Sequence, residues 1–247
     1  YVARLERLNK ELEDFAFIAS HHLQEPLRKI HTFGDKLKAR CKSFTDPEAR
    51  DCVIRMQKSA DRMRSLVYDL LRYSRVTLEV ETFVPTDLSV VLRHVLAGMD
   101  ESIEQGRATV EVSPLPVVDV DERQMHELFR ELIGNAIKFQ GESAPVIQIG
   151  AEVHRNPDER PYCAIRVRDN GIGFDERQVE RIFAPFQQLH AHDSYEGTGM
   201  GLAICRKIVE RHNGTLTAKS VPGSGTTFTI VLPLRQDVRE FIEKEAA

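Results

Sequence analysis

The sequence lacks the features that would place it in a membrane or an oxidising compartment. None of its 247 residues belongs to an apolar run near the roughly 18 residues of a transmembrane helix, and no signal peptide opens the chain. Its four cysteines form no C-x-x-C pair and no metal-type spacing with histidine: Cys41, Cys52, Cys163 and Cys205. We therefore expect reduced thiols and a cytoplasmic location, with no membrane segment in this chain.

Extreme charge and low-complexity segments are also absent. Hydrophobic residues make up 41% and charged residues 29%, which is typical of a folded globular protein. Residues 1–75 carry a net charge of +5 and the remainder −9. The basic excess would suit an acidic partner or nucleotide phosphates, but a solvated helical face explains it more simply. It is too small to indicate nucleic acid binding.

The first residues follow a heptad pattern. Apolar residues alternate at three- and four-residue steps, with Asn9 in the same register, at Val2, Leu5, Leu12, Ala16, Ala19 and Leu23. Because the chain opens with Tyr1 and the pattern is already running there, we expect the C-terminal piece of a longer protein. A sensor domain or membrane anchor would then lie upstream.

A histidine pair stands on this first helix. With Ala16 and Leu23 at a positions, His21 falls at f, opposite the seam, and His22 at g. Pro26 removes a backbone donor five residues after His21 and is expected to loosen the helix locally. An exposed imidazole beside a helix defect favours chemistry; a solvated surface histidine is the alternative.

A second amphipathic helix should follow a turn at 43–48, where an N-cap signal precedes a proline. Its seam is Val53, Met56, Ala60, Met63, Val67, Leu70 and Ser74. Two such helices predict an antiparallel hairpin, which has too little core to stand alone. We expect two copies to form a homodimeric four-helix bundle; packing of the seam against the second domain is the alternative.

The pattern after Tyr73 predicts a two-layer α/β domain, so the fold class is α+β with two domains. The predicted domains are the hairpin 1–76, a linker 77–86, the second domain 87–235 and a tail 236–247. Helices are expected from about Asp87, from Asp121 to about Phe139 and over 201–212. The strands are expected at 78–84, ended by Pro85, near 108–113, and at 146–153, 162–168, 215–220 and 226–232.

Two glycine clusters punctuate this domain. Asp169-Asn170-Gly171-Ile172-Gly173-Phe174 follows a predicted strand, where glycines let a ligand approach the backbone. Gly197-Thr198-Gly199-Met200-Gly201-Leu202 leads into a helix, an arrangement that favours phosphate. The second cluster matches neither the P-loop nor the Rossmann pattern. The long polar segment 175–196 between the clusters is expected to be a lid.

The 121–139 helix carries a polar face. Glu127, Glu131 and Asn135 are successive i+4 steps, and Lys138 follows three residues later. An asparagine oxygen suits Mg²⁺, and a lysine can meet phosphate. Taken alone, an ordinary surface face explains the same residues.

Six motifs in order resemble the sensor histidine kinases. They correspond to the H, N, G1, F, G2 and G3 boxes: Ser20-His21-x-Leu-x-x-Pro26-Leu27, Glu131–Phe139, Asp169–Phe174, Phe183–Phe186, Gly197–Leu202 and Gly223–Phe228. The set covers nearly the whole chain. Its first motif is similar to kinases attached to PAS, GAF or phytochrome sensor modules. The resemblance implies a GHKL-type, or Bergerat-type, ATP-binding fold for the second domain.

The resemblance also implies roles. His21 would accept phosphate from Mg-ATP and pass it to an aspartate of a response-regulator receiver domain. Asp169 would accept the adenine amino group, Asn135 would hold Mg²⁺, and Lys138 would contact phosphate. The rest of the implied nucleotide site is Gly171, Gly173, Gly197, Thr198, Gly199, Gly201, Leu202 and Thr226.

The chain departs from the family pattern in four places. His22 stands where an acid usually follows the acceptor, so we expect slower autophosphorylation. Glu131 replaces the first asparagine of the N box, which raises either a general base for side hydrolysis or a contact to Mg²⁺-bound water. His192 replaces a common arginine of the lid. Glu25 replaces a threonine or asparagine that the family links to phosphatase activity.

Two alternatives remain beside the kinase. One is a pseudokinase that binds nucleotide and signals by conformation, with its histidine dyad altered by His22. The other is an ATPase of the gyrase and chaperone type, which the histidine hairpin disfavours.

Overall fold

The computed structural model describes residue 23 and residues 27–37, 47–78, 83–155, 160–189 and 197–236. The chain divides into two compact units, Tyr1–Leu78 and Glu79–Ala247. Several residues singled out in the sequence lie outside the described residues: His21, His22, Glu25, Pro26 and His192. The same is true of residues 237–247 of the predicted tail.

Among its described residues, the first unit contains two helices, α1 over 27–37 and α2 over Pro47–Leu78. Leu27 of α1 forms a buried cluster with Ala60 and Val67 of α2. Nearer the start of α2, Gln57 donates from Nε2 to Asp35 Oδ1, which lies further along α1 than Leu27, at 2.9 Å. Since positions advance along α1 as they recede along α2, the helices are antiparallel, and the predicted hairpin is confirmed.

The boundary between the units corrects one prediction. The segment 78–84 was expected to be a strand ended by Pro85, but α2 continues to Leu78 and strand β1 covers Val84–Asp87. β1 pairs antiparallel with β3, Val117–Val120, in a separate two-stranded sheet. A proline fits an edge strand because its missing N–H is not needed on the outer side. Pro85 therefore lies within the strand and does not end it.

The second unit is built on one five-stranded sheet. Its strands are β2 (Thr109–Val112), β4 (Val146–His154), β5 (Tyr162–Asp169), β6 (Thr215–Val221) and β7 (Gly225–Pro233). They lie in the order β2-β4-β5-β7-β6, in which β2 runs parallel to β4 and the other neighbours are antiparallel. All five lie close to their predicted positions.

The helices are α3 Leu88–Ala97, α4 Asp100–Gly106, α5 Glu122–Lys138, α6 Val179–Ile182 and α7 Gly201–Arg211, with a 3₁₀ turn at Glu176–Gln178. Along β5, Ile165 and Val167 are buried and alternate with the exposed Arg166 and Arg168. One face of the sheet therefore packs in the core, and the other presents polar side chains. This is the predicted two-layer sandwich.

The ends of α5 and α7 are joined by a buried polar cluster. Asp121 caps α5 by accepting from the backbone N–H of Gln124, and its other oxygen lies 3.1 Å from Arg211 on α7. His212 accepts the N–H of Asp121 through Nε2 at 3.0 Å. Burial lowers the pKa of His212 to about 4, so the ring is neutral and able to accept this bond. The cluster fixes the two helices that carry the candidate site.

Candidate functional site

Asp169 lies at the end of β5, with its side chain held by two backbone donors. Oδ1 accepts from the N–H of Gly171 at 2.8 Å and from the N–H of Thr226 at 3.1 Å. Burial raises the pKa of this carboxyl, and the two N–H groups act in the opposite direction. Oδ2 has no hydrogen bond within the described part of the chain. One oxygen therefore orients the carboxylate while the other is available to a ligand donor.

The backbone packs closely around this carboxylate. A Cβ at Gly171 would collide with the carbonyl oxygen of Phe139 and come within 2.9 Å of Asp169 Oδ1. Gly173 has φ +58 and lies against the carbonyl of Val221. Only glycine fits either position: Gly171 packs the end of α5 against the end of β5, and Gly173 packs against the turn between β6 and β7.

Ser220 supports the same corner and was not predicted from the sequence. Its Oγ accepts from the N–H of Phe174 at 2.9 Å, donates to the carbonyl of Gly225 at 3.0 Å, and lies 2.9 Å from Thr226 Oγ1. The available signal was its parity on β6, because alternate residues of this strand point into the core. A polar residue in that register indicates a hydrogen-bonding role.

The polar face of α5 meets the glycine run before α7. The carboxylate of Glu131 lies against Gly201, with Oε2 2.5 Å from the position of a Cβ there. Lys138 Nζ is 2.7 Å from the corresponding position at Gly197 and lies 4.6 Å from the ring centroid of Phe139. Asn135 lies between these two side chains on α5. The structure thus brings together residues that are about 60 to 70 positions apart in sequence.

The start of α7 has no side-chain cap. Its N-cap residue, Met200, makes no side-chain capping bond, and Gly201 and Leu202 form the first turn. Thr198 Oγ1 accepts from the N–H of Met200 at 3.3 Å. The first N–H groups of a helix lack intrahelical partners and favour negative charge. This is the position at which the sequence predicted a phosphate.

Gln188 completes this end of the site and was missed by the sequence analysis. It donates from Nε2 to the carbonyl of Gly197 at 2.6 Å. Its place in a polar loop beside a second glutamine gave no signal that one of the pair is engaged. The predicted residues His21 and His22 lie outside the described residues, so the structure does not test their relation to this site.

The donor set fits a magnesium nucleotide. Asn135 and Glu131 offer the hard oxygen ligands that Mg²⁺ accepts, and triphosphate oxygens and water would supply the others. Among the described residues, no group of three or more histidine, cysteine or acidic side chains could hold a metal alone.

Two family models match this chain. Residues 11–79 match "His Kinase A (phospho-acceptor) domain", and residues 120–236 match "Histidine kinase-, DNA gyrase B-, and HSP90-like ATPase". The chain belongs to the histidine kinase family. It joins a phospho-acceptor domain to an ATPase domain of the kind found in histidine kinases.

Similar proteins include several phytochromes. The kinase is 40% identical to Phytochrome-like protein Cph1 of Synechocystis sp., over 93% of this chain and 30% of that protein. It is 41% identical to Cyanobacterial phytochrome A of Nostoc sp., over 96% of this chain and 30% of that protein. The chain thus spans about 30% of the length of these curated relatives.

Solved structures agree on the fold. The catalytic domain of histidine kinase ThkA is 27% identical, with a TM-score of 0.52 over 62% of this chain and 96% of that one. Full-length ShkA in complex with AMPPNP is 23% identical, with a TM-score of 0.65 over 91% of this chain and 46% of that one. Within the described ranges, no helix of the kinase is long and apolar enough to cross a bilayer.

Proposed function

We propose that this chain is the catalytic core of a sensor kinase that phosphorylates His21 from Mg-ATP and passes the group to an aspartate of a response-regulator receiver domain. The proposal is carried by one arrangement. At one end of the site, Asp169 has an oxygen that no described residue binds. At the other end, Lys138 lies beside Gly197 and Glu131 lies beside Gly201, the first residue of α7. An adenine base and a phosphate chain require these two kinds of group.

At the adenine end, Oδ2 of Asp169 would accept from the exocyclic amino group. The Gly171 and Thr226 N–H groups hold Oδ1, so the carboxylate is oriented before the base arrives. Guanine carries an oxygen where adenine carries this amino group and would face a carboxylate oxygen. The site should therefore prefer ATP to GTP.

At the phosphate end, Lys138 and the N–H groups of the glycine run and α7 would bind the triphosphate, with Asn135 as the metal ligand. Mg²⁺ supplies charge neutralisation of the triphosphate when it is bound. A neutral His21 nitrogen would attack the γ-phosphorus in line: the N–P bond forms, the bond to the bridging oxygen breaks, and ADP leaves. His22 lacks the negative charge of the usual acid and is expected to make His21 a weaker nucleophile.

The hairpin supports a homodimer. In a single chain, one row of α2, Val53, Ala60, Val67 and Ser74, is buried, whereas Met56 and Met63 of the same predicted seam are exposed. On the first helix, Leu23 of the predicted seam is exposed, and so are the apolar residues Ile30, Phe33 and Leu37, with Phe33 at 64% exposure. Two copies packing these rows together would remove this apolar surface from water.

The family relation supports the remaining partners. A phospho-acceptor domain implies a receiver domain as recipient. The relatives named as phytochromes support a sensor module upstream of this chain in the full-length protein. A cytoplasmic location is proposed because both ATP and a receiver domain would be available there.

Incubation with γ-labelled Mg-ATP is expected to give acid-labile, base-stable label on the wild-type protein and none on His21→Ala, because a phosphoramidate requires that imidazole. The two proteins should bind ATP equally. Tight ATP binding without label would instead favour the pseudokinase. Phosphate release without label would favour the ATPase.

Replacement of Glu131 by glutamine is expected to lower background ATP hydrolysis at least about tenfold if Glu131 is a general base. Its carboxylate is placed for this role because it lies beside Gly201 at the predicted phosphate end. Phosphate release in the absence of a receiver domain is the measurement. Undiminished hydrolysis by Glu131→Gln would leave only the contact to Mg²⁺-bound water.

A further inference from the structure

Gly197 is a meeting point of two side chains from different parts of the domain. The amide of Gln188 donates to its carbonyl at 2.6 Å, and the ammonium of Lys138 lies 2.7 Å from where its Cβ would be. Gln188 follows α6, whereas Lys138 is the last residue of α5. The Gln188 bond therefore holds the peptide group of Gly197. Lys138, which is predicted to bind phosphate, packs against the same residue.

The next glycine is held by the same segment. A Cβ at Gly199, where φ is +77, would come within 2.9 Å of the Phe186 carbonyl carbon. Phe186 itself has φ +62, in the left-handed region that few residues of its kind adopt. The chain around 186–188 thus forms the surface on which the glycine run rests. The side chain of Gln188 adds a directional contact to this run, the hydrogen bond to the Gly197 carbonyl.

This arrangement has a consequence for nucleotide binding. A glycine-rich backbone loses more conformational entropy than any other when a ligand orders it. A hydrogen bond that orders the run beforehand lowers the cost of binding phosphates to it. The adenine end is held separately by Gly171 and Thr226 and gains nothing from this bond.

We propose that Gln188 is a positioning residue for the triphosphate. It holds the Gly197 carbonyl, and thereby the glycine run and the Lys138 ammonium, in the arrangement that receives the phosphates. The proposal rests on the proposed function, because it assumes that this end of the site binds the phosphates of ATP.

The test compares Gln188→Leu with Gln187→Leu, the same substitution at an adjacent exposed glutamine. For Gln188→Leu, the Kd of Mg-ATP and the KM of autophosphorylation should rise about fivefold, the effect of one hydrogen bond. The Kd of adenosine should stay unchanged, and kcat should stay within about twofold. Gln187→Leu should match the wild type in all four quantities.

Gln188→Met, which keeps the side-chain length without the donor, repeats the test if the leucine variant folds poorly. Equal weakening of adenosine and ATP would overturn the proposal, because it would show a general structural role. An unchanged Kd for Mg-ATP would overturn it as well. Absence of label on the wild type would instead contradict the proposed function, and the two binding constants would still decide the role of Gln188.

Discussion

Replacement of Asp169 by asparagine is expected to weaken ATP binding about a hundredfold while leaving the fold intact. The amide oxygen can still accept the Gly171 and Thr226 N–H groups, which hold Oδ1 in the native side chain. The amide nitrogen then takes the place of Oδ2. It would present a donor to the donor group of adenine, and two unsatisfied N–H groups would face each other.

The matched control is Asp175→Asn, the same change six residues later. Asp175 caps the 3₁₀ turn by accepting from the N–H of Arg177 at 3.0 Å, a different set of contacts from that of Asp169. Titration with Mg-ATP gives the affinity, and thermal unfolding checks that both variants are folded. If Asp169→Asn bound ATP as tightly as Asp175→Asn, the adenine assignment would be wrong.

Replacement of Gly225 by alanine should destabilise the ATP-binding domain by about 3–4 kcal/mol, combining backbone strain with overpacking. Gly225 has φ +88, and a Cβ there would collide with the carbonyl oxygen of Asp169 and come within 2.9 Å of Asn170 Cα. These are backbone atoms of the neighbouring strand end, which cannot move aside as a flexible side chain would. The clash would also displace the carboxylate that receives adenine.

Gly223 of the same turn provides the control. Its φ is +75, but a Cβ would have no atom within 4 Å among the described residues. Gly223→Ala should therefore cost only the left-handed backbone penalty, about 1–2 kcal/mol. Urea unfolding followed by circular dichroism suits a chain without tryptophan. Equal midpoints for the two variants would show that strain alone, and not the contact with Asp169, determines the need for glycine.

Local chemistry made much of the domain predictable. Asp121 was expected to cap a helix ending near Phe139, and α5 covers Glu122–Lys138 with Asp121 as its cap. Capping and helical periodicity depend on residues within a few positions of one another, so they can be read from sequence. The strand containing Pro85 was misplaced because a strand forms around this proline only by pairing with β3, about 30 residues later in the sequence.

The sequence by itself determined the chemical groups of the site and their order along the chain, together with the heptad rows of the hairpin. The tertiary structure decided which oxygen of Asp169 is left for a ligand. The N–H of Thr226, 57 residues away in sequence, binds Oδ1 and leaves Oδ2. It also decided that Gln188 is engaged and Gly225 cannot carry a side chain. In each of these contacts, at least one partner is a backbone atom of a distant segment. Every residue has the same backbone atoms, so no pattern of residue types predicts such a contact.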